Sequence, residues 1–320
     1  LIVMHVYFYE AFEEEAEALR HQLGTTLSYE MTSETIQESG DAEPPARLIS
    51  IRTQSIIPAH WTGAIDGVLS RSTGFDHLVA YRKTLEKPIP CGYLDEYATR
   101  AVAEHAVVTL AALFRRIPKQ QGQFRQFDRD GLTGTEFGGK NLLVIGVGRI
   151  GSEIVRLARA MEMNVQGIDL VERFPDVTYV DREVGMAWAD AIICAMNLTA
   201  ENRGYFQYDF LRTAKRGTFF VNIARGDIAR TGDLVRLLRE GYLAGVALDV
   251  FEREPEVAQS IRSGELAQAA LEVEELLGFP NVILTPHNAF NTLEAVQRKA
   301  EFTVKQVRQF LEQGDFLWKI

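Results

Sequence analysis

The chain has 320 residues, 46% of them hydrophobic and 24% charged, with a formal net charge of −10. That length allows two domains with separate cores, and that composition is the profile of a soluble globular protein. The acidic balance argues against a nucleic-acid surface or an anionic membrane partner, and no apolar run approaches the eighteen residues of a membrane span.

From the N-terminus, the apolar run beginning at Leu1 has no basic leader and no small-residue cleavage site, so Ile2–Tyr7 reads as a first strand. Ala11–Leu23 reads as a helix with Phe12, Ala16, Leu19 and Leu23 on one face. Glu13, Glu14 and Glu15 suit its positive end, and Gly24 stops it. Further strands are expected at Thr26–Tyr29, Leu48–Ile51, Gly67–Ser70 and Ile89–Cys91, with a breaker loop over Glu38–Pro45. Tyr97–Arg116 reads as one long connecting helix that ends at Pro118, followed by a polar segment. Strands are then expected at Ala191–Ala195, Thr218–Ile223, Gly245–Asp249 and Val282–Thr285, and a last helix over Thr292–Glu312. Alternating strands and helices predict an α/β fold with mostly parallel sheets. The two cysteines, Cys91 and Cys194, form no metal pattern and read as buried, reduced thiols in a cytoplasmic protein; no metal site is expected.

The middle of the chain carries the densest signal. The apolar run Asn141–Ile145 empties into Gly146-Val147-Gly148-Arg149-Ile150-Gly151. An amphipathic stretch follows, and a second short strand, Val165–Ile168, ends on Asp169. Strand, glycine turn, helix, strand and acid in that order form a dinucleotide site. Gly146 allows the tight turn, Gly148 the approach of the pyrophosphate, and Gly151 close packing of helix on strand. Asp169 can accept both ribose hydroxyls and would repel a 2′-phosphate, which favours NAD over NADP.

Three further segments end predicted strands: Ala224-Arg225-Gly226, Asp249 through Glu254-Pro255, and Thr285-Pro286-His287. Taken singly, Arg225 reads as a surface charge, Glu254 as a helix-start acid and His287 as a capping loop residue. Together beside a dinucleotide site they suit hydride chemistry on a 2-oxo acid. Histidine donates the proton, a carboxylate beside it favours the charged ring, and the guanidinium grips the substrate carboxylate.

On these motifs the chain resembles the NAD-dependent D-2-hydroxyacid dehydrogenases, and among them the D-lactate dehydrogenase-like branch. The resemblance implies two doubly wound parallel-sheet domains. A Rossmann cofactor domain (96–290) is inserted into a smaller flavodoxin-like substrate domain (1–95 plus 291–320). It implies Arg225, Glu254 and His287 as catalytic residues, with substrate contacts at Thr73, Gly74, Tyr97, Arg52 and Phe290. Cofactor contacts are implied at Gly146, Gly148, Arg149, Ile150, Gly151, Asp169, Asn197, Asn202, Ala224, Asp249 and Ala289. Asn197 and Ala195 depart from the usual proline and histidine of the family at that strand end. Arg52 follows a strand; facing the pocket it would bind a second carboxylate, but the family often has a basic residue there regardless of substrate. The implied reaction is reversible NADH-dependent reduction of a small, pyruvate-like 2-oxo acid to the D-2-hydroxy acid, by a homodimer joined through its cofactor domains. The alternatives are a D-2-hydroxyglutarate or glyoxylate/hydroxypyruvate reductase, or a non-catalytic NAD(H)-sensing, corepressor-like binding protein.

Overall fold

Continuous apolar runs bounded by turn residues fix two parallel sheets in the computed structural model, which describes residues 4–265 and 267–320. The chain divides into two units, one of residues 1–98 with 291–320 and the other of residues 99–290.

The first unit holds five parallel strands, β1 (Val6–Phe8), β2 (Tyr29–Met31), β3 (Leu48–Ile51), β4 (Gly67–Ser70) and β5 (Cys91–Gly92), in the order β2-β1-β3-β4-β5. β3 and β4 are buried along their whole length, as a sheet covered on both faces requires. Helices α1 (Glu13–Leu23), α2 (Ile36–Ser39) and α3 (Asp76–Arg82) belong to this unit, together with the C-terminal helix Leu293–Gln313. Its core gathers Tyr9, Ile49, Trp61, Val68 and Leu78. The expected strand Ile2–Tyr7 lies partly outside the described residues; within them the strand is Val6–Phe8, and Met4 and His5 are not part of it. The second strand lies at Tyr29–Met31, later than the expected Thr26–Tyr29. Glu15 is not a solvated acid at a helix start. It is fully buried on the inner face of α1, beside Ala16 and Leu19.

The second unit opens with α4 (Thr99–Phe114), and Pro118 does not end it. The turn is made at Arg116 (φ 52°), and Pro118 lies in the first turn of α5 (Ile117–Gln123), where no backbone N–H is needed. Seven parallel strands follow: β6 (Asn141–Ile145), β7 (Asn164–Ile168), β8 (Thr178–Tyr179), β9 (Ala191–Cys194), β10 (Thr218–Asn222), β11 (Leu243–Leu248) and β12 (Val282–Leu284). Their order, β12-β11-β10-β9-β6-β7-β8, reverses between β6 and β9, which is the doubly wound arrangement. The intervening helices are α6 (Arg149–Ala160), α7 (Arg182–Trp188), α8 (Tyr208–Leu211), α9 (Thr231–Arg239), α10 (Glu254–Ser263) and α11 (Gln268–Leu277). Leu143, Ile192, Phe220 and Val246 form the centre of its core. Both cysteines are buried thiols, and burial pushes Cys194 up to about 12. No helix among the described residues is long and apolar enough to cross a membrane.

Candidate active site

The turn between β6 and α6 uses each glycine for a different reason. Gly146 sits at φ 93°, and a Cβ there would meet the Ala195 and Met196 backbone at 2.6 Å. A Cβ on Gly151 would lie 2.0 Å from the Gly146 carbonyl oxygen, so helix and turn touch only because it is absent. Above Gly148 there is open space, and no side chain caps this end of α6. The first-turn amides of Arg149 and Ile150 thus lie at an open, positively polarised helix end that suits a pyrophosphate. Asp169 stands at the end of β7, where one carboxylate oxygen accepts from Val147 N (2.6 Å) and the other from Val171 N (3.1 Å). The ribose acid and the glycine turn are therefore locked to each other.

Beyond β9, Asn202 clips its own loop. Its carbonyl oxygen accepts from Thr199 N (2.8 Å) and its amide donates to Asn197 O (2.7 Å), with Asn197 exposed above. Ala195, in place of a histidine, presses its backbone against Gly146.

At the end of β10 a buried asparagine does what the sequence did not announce. Asn222 accepts from Ala224 N (3.0 Å) and donates to Arg225 O (3.0 Å), so its side chain folds the Ala224–Arg225 turn. Gly226 lets that turn lie directly on the chain at Phe251, whose carbonyl carbon is 1.8 Å from an ideal Cβ. Asp249, at the end of β11, is 2% exposed. It accepts from Thr285 Oγ1 (2.6 Å), Asn288 N (2.8 Å) and Ala289 N (2.9 Å), while its backbone oxygen accepts from His287 N (2.8 Å). The loop bearing His287 is thus hung on one buried carboxylate. His105, on α4, packs beneath it, its Nε2 3.1 Å from Thr285 Oγ1.

His287 itself is held at φ 49°, a costly conformation for a residue with a Cβ. Its Nδ1 lies 2.6 Å from Glu254 Oε1. An ionised carboxylate has no proton to give, so Nδ1 donates and Nε2 is the nitrogen left to face a reactant. Burial alone would raise the Glu254 carboxyl, but the charge and hydrogen bond of His287, with the charge of Arg225, hold it below the ordinary glutamate range. Arg225 donates to Ala224 O (2.8 Å) and sits half-buried beside this pair. Arg225, Glu254, His287, Asp249, Ala224 and Ala289 are thus gathered at the carboxyl edge of one sheet, with the glycine turn on the neighbouring strand ends.

In the first unit, the Thr73–Gly74 loop follows β4 and is braced by Ser72 Oγ, which donates to Gly74 O (2.8 Å). Tyr97 is buried, and its carbonyl accepts from Arg298 Nε (2.9 Å). Arg52 follows β3, its guanidinium carbon 5.4 Å from the Phe12 ring centre. Phe290, the last residue of the second unit, is buried.

Comparison with known proteins identifies the family. Residues 107–289, more than half of the chain, match the family model of the D-isomer specific 2-hydroxyacid dehydrogenase NAD-binding domain. A glyoxylate reductase of Thermofilum pendens is 29% identical over 310 residues, covering 89% of this chain and 87% of the relative. An aromatic 2-oxoacid reductase of Clostridium sporogenes is 30% identical over 224 residues, covering 68% of this chain and 67% of the relative. Among solved structures, the D-lactate dehydrogenase of Aquifex aeolicus, complexed with NAD and lactic acid, superposes with a TM-score of 0.84. It is 26% identical, with 98% of each chain covered. The chain therefore belongs to the D-isomer specific 2-hydroxyacid dehydrogenases, the NAD-dependent oxidoreductases whose cofactor the Gly146–Gly151 turn and Asp169 fit.

Proposed function

We propose that the chain reduces a small 2-oxo acid to the D-2-hydroxy acid, with His287 as the proton donor. The Glu254–His287 pair, 2.6 Å apart and beside Arg225, carries this reading. Bound NADH supplies the hydride to the carbonyl carbon. The His287 ring donates its Nε2 proton to the carbonyl oxygen, and Glu254 holds the ring in place through Nδ1. Arg225 holds the substrate carboxylate and polarises the carbonyl; Thr73, Gly74, Tyr97 and Phe290 stand as the further substrate contacts that the family resemblance implies. A sensor without catalysis has no use for an imidazole buttressed by a carboxylate, so this pair favours the enzyme. Glyoxylate, the substrate in the name of one relative, falls within the same class of acid. A panel of 2-oxo acids, followed by loss of NADH absorbance, tests the reading. No turnover of any of them by a protein that binds NADH refutes it.

Asp169 sets the cofactor preference in this reading. Asp169→Ala is expected to lower the NADH-over-NADPH ratio of kcat/KM by about tenfold or more, because a close like-charge contact with the 2′-phosphate is removed. The same change frees Val147 N, so NADH itself binds less tightly. A wild-type enzyme that uses both cofactors equally would contradict this.

A cytoplasmic homodimer joined through the second unit completes the proposal. Phe124 and Phe127, just after α5, are 71% and 69% exposed on that unit, two large apolar side chains that an interface would cover. Light scattering should give a dimer for the wild type and a monomer for the double variant Phe124→Asp, Phe127→Asp. A monomeric wild type would remove this part of the proposal.

A further inference from the structure

The second unit holds two histidines, and the proposed reaction uses only His287. The other, His105, is carried by α4 to the strand ends that bear the site. Its Nε2 lies 3.1 Å from Thr285 Oγ1 and 3.9 Å from Asp249 Oδ1, so the hydroxyl is its hydrogen-bond partner and the carboxylate is out of direct reach. Counting protons gives the direction of that bond. Thr285 Oγ1 stands 2.6 Å from Asp249 Oδ1, and an ionised carboxylate can only accept. The single hydroxyl proton of Thr285 is therefore directed at Asp249. What Nε2 meets is a lone pair of the hydroxyl oxygen, so the ring carries its proton on Nε2 and donates it. The chain runs one way, from His105 Nε2–H to Thr285 Oγ1 and from Thr285 Oγ1–H to Asp249 Oδ1.

Water cannot stand in for the imidazole. The space between α4 and the strand ends is lined by Val221, Ile223, Ala247 and Ile283 besides these polar groups, and it leaves no room for a water molecule. The donor that orients the hydroxyl thus comes from α4. At the far end of the chain, the Asp249 side chain accepts Asn288 N (2.8 Å) and Ala289 N (2.9 Å), and its backbone oxygen accepts His287 N (2.8 Å). His287 sits at φ 49°, a strained conformation that persists only where its surroundings enforce it. The orientation of the Asp249 carboxylate therefore sets where the His287 ring stands.

We infer that His105 is a positioning residue for the proposed reduction: its Nε2–H orients Thr285, which fixes the Asp249 carboxylate and with it the His287 loop. The inference rests on the reading of His287 as the proton donor. Hydrogen bonds in such a chain strengthen one another, so removal of the first donor is felt at the last acceptor. A loop that relaxes by a fraction of an ångström keeps the substrate bound and misdirects the proton.

Glyoxylate and pyruvate serve as the probe substrates. His105→Leu nearly keeps the volume and removes the donor, so it should lower kcat by about 10- to 100-fold with KM for the oxo acid little changed. His105→Gln offers an amide N–H in place of the ring Nε2–H and should restore most of kcat. In a Thr285→Val background, His105→Leu should have no further effect, because both changes act through one hydroxyl. Heteronuclear NMR of the wild-type imidazole, assigned by its loss in His105→Gln, should show the proton on Nε2. A neutral ring with its proton on Nδ1 overturns the inference, whether or not the variants fold. So does wild-type kcat in His105→Leu, a loss that His105→Gln does not restore, or an equal further loss in the Thr285→Val background. Each of these leaves the proposed function standing while turnover depends on His287. Absence of His287-dependent turnover overturns both.

Discussion

His287→Ala is expected to lower kcat by about 10²- to 10⁴-fold, or roughly 3–5 kcal/mol of barrier, while NADH binding stays nearly intact. The ring is the proton donor in the proposed reaction, and nothing that binds the cofactor in the glycine turn touches it. Glu254→Gln separates charge from shape. The Glu254 carboxylate, held below the ordinary glutamate range, orients the ring through Nδ1 at 2.6 Å. Removing the charge while keeping a hydrogen-bond acceptor is expected to lower kcat with KM for the oxo acid little changed. Arg225→Lys keeps a cation without the fork, so KM for the oxo acid should rise and kcat should fall. Stopped-flow and steady-state kinetics across pH read all three. Near-wild-type turnover in His287→Ala would assign the proton to another group, with His105 the next imidazole in the same unit.

The second large effect is expected at a glycine. In Gly226→Ala the new Cβ would overlap the Phe251 carbonyl carbon at 1.8 Å, its oxygen at 1.9 Å and Glu252 N at 2.4 Å. All three are backbone atoms and cannot rotate away. Separating these turns costs about 3 kcal/mol or more, which corresponds to a fall in Tm of about 6–12 °C. It also moves Arg225 away from Glu254, and a shift of about 1 Å in a positioning residue is enough for a loss of about 10² in kcat/KM. Calorimetry and kinetics on the same sample check both. A variant with wild-type Tm and activity would mean that the two turns do not touch in solution.

The parts of the fold that could be read from the sequence were those written in short-range pattern. Leu48–Ile51 and Gly67–Ser70 stand where expected because a strand buried on both faces is a continuous apolar run between breakers. The Gly146–Gly151 turn was legible because each glycine answers a local steric demand. β8 escaped notice because two residues carry no period, and Pro118 misled because a proline that ends one helix and one that begins the next look alike in a string. The identities of Arg225, Glu254 and His287 stood in the sequence, but their supports did not. Asn222 and Asp249 act by folding turns distant in the chain, and Glu15, Arg71 and Lys299 are charged residues at fully buried positions. Periodicity treats a charge as solvated, so only the tertiary structure reveals them.

The first unit is made from both ends of the chain, and this gives the protein an order of assembly. Gly67 lies against Phe310, and Glu15 against Lys299, so the early strands lack a covering helix until Leu293–Gln313 has been made. Closing the intervening loop of about 190 residues as a free coil costs on the order of 5 kcal/mol in chain entropy. The second unit is continuous and can fold as soon as it leaves the ribosome. The contact of His105 with Thr285 ties its first helix to its last strand end, so the chain enters and leaves this unit at nearby points. A folded inserted unit therefore shortens the effective loop that the first unit must close.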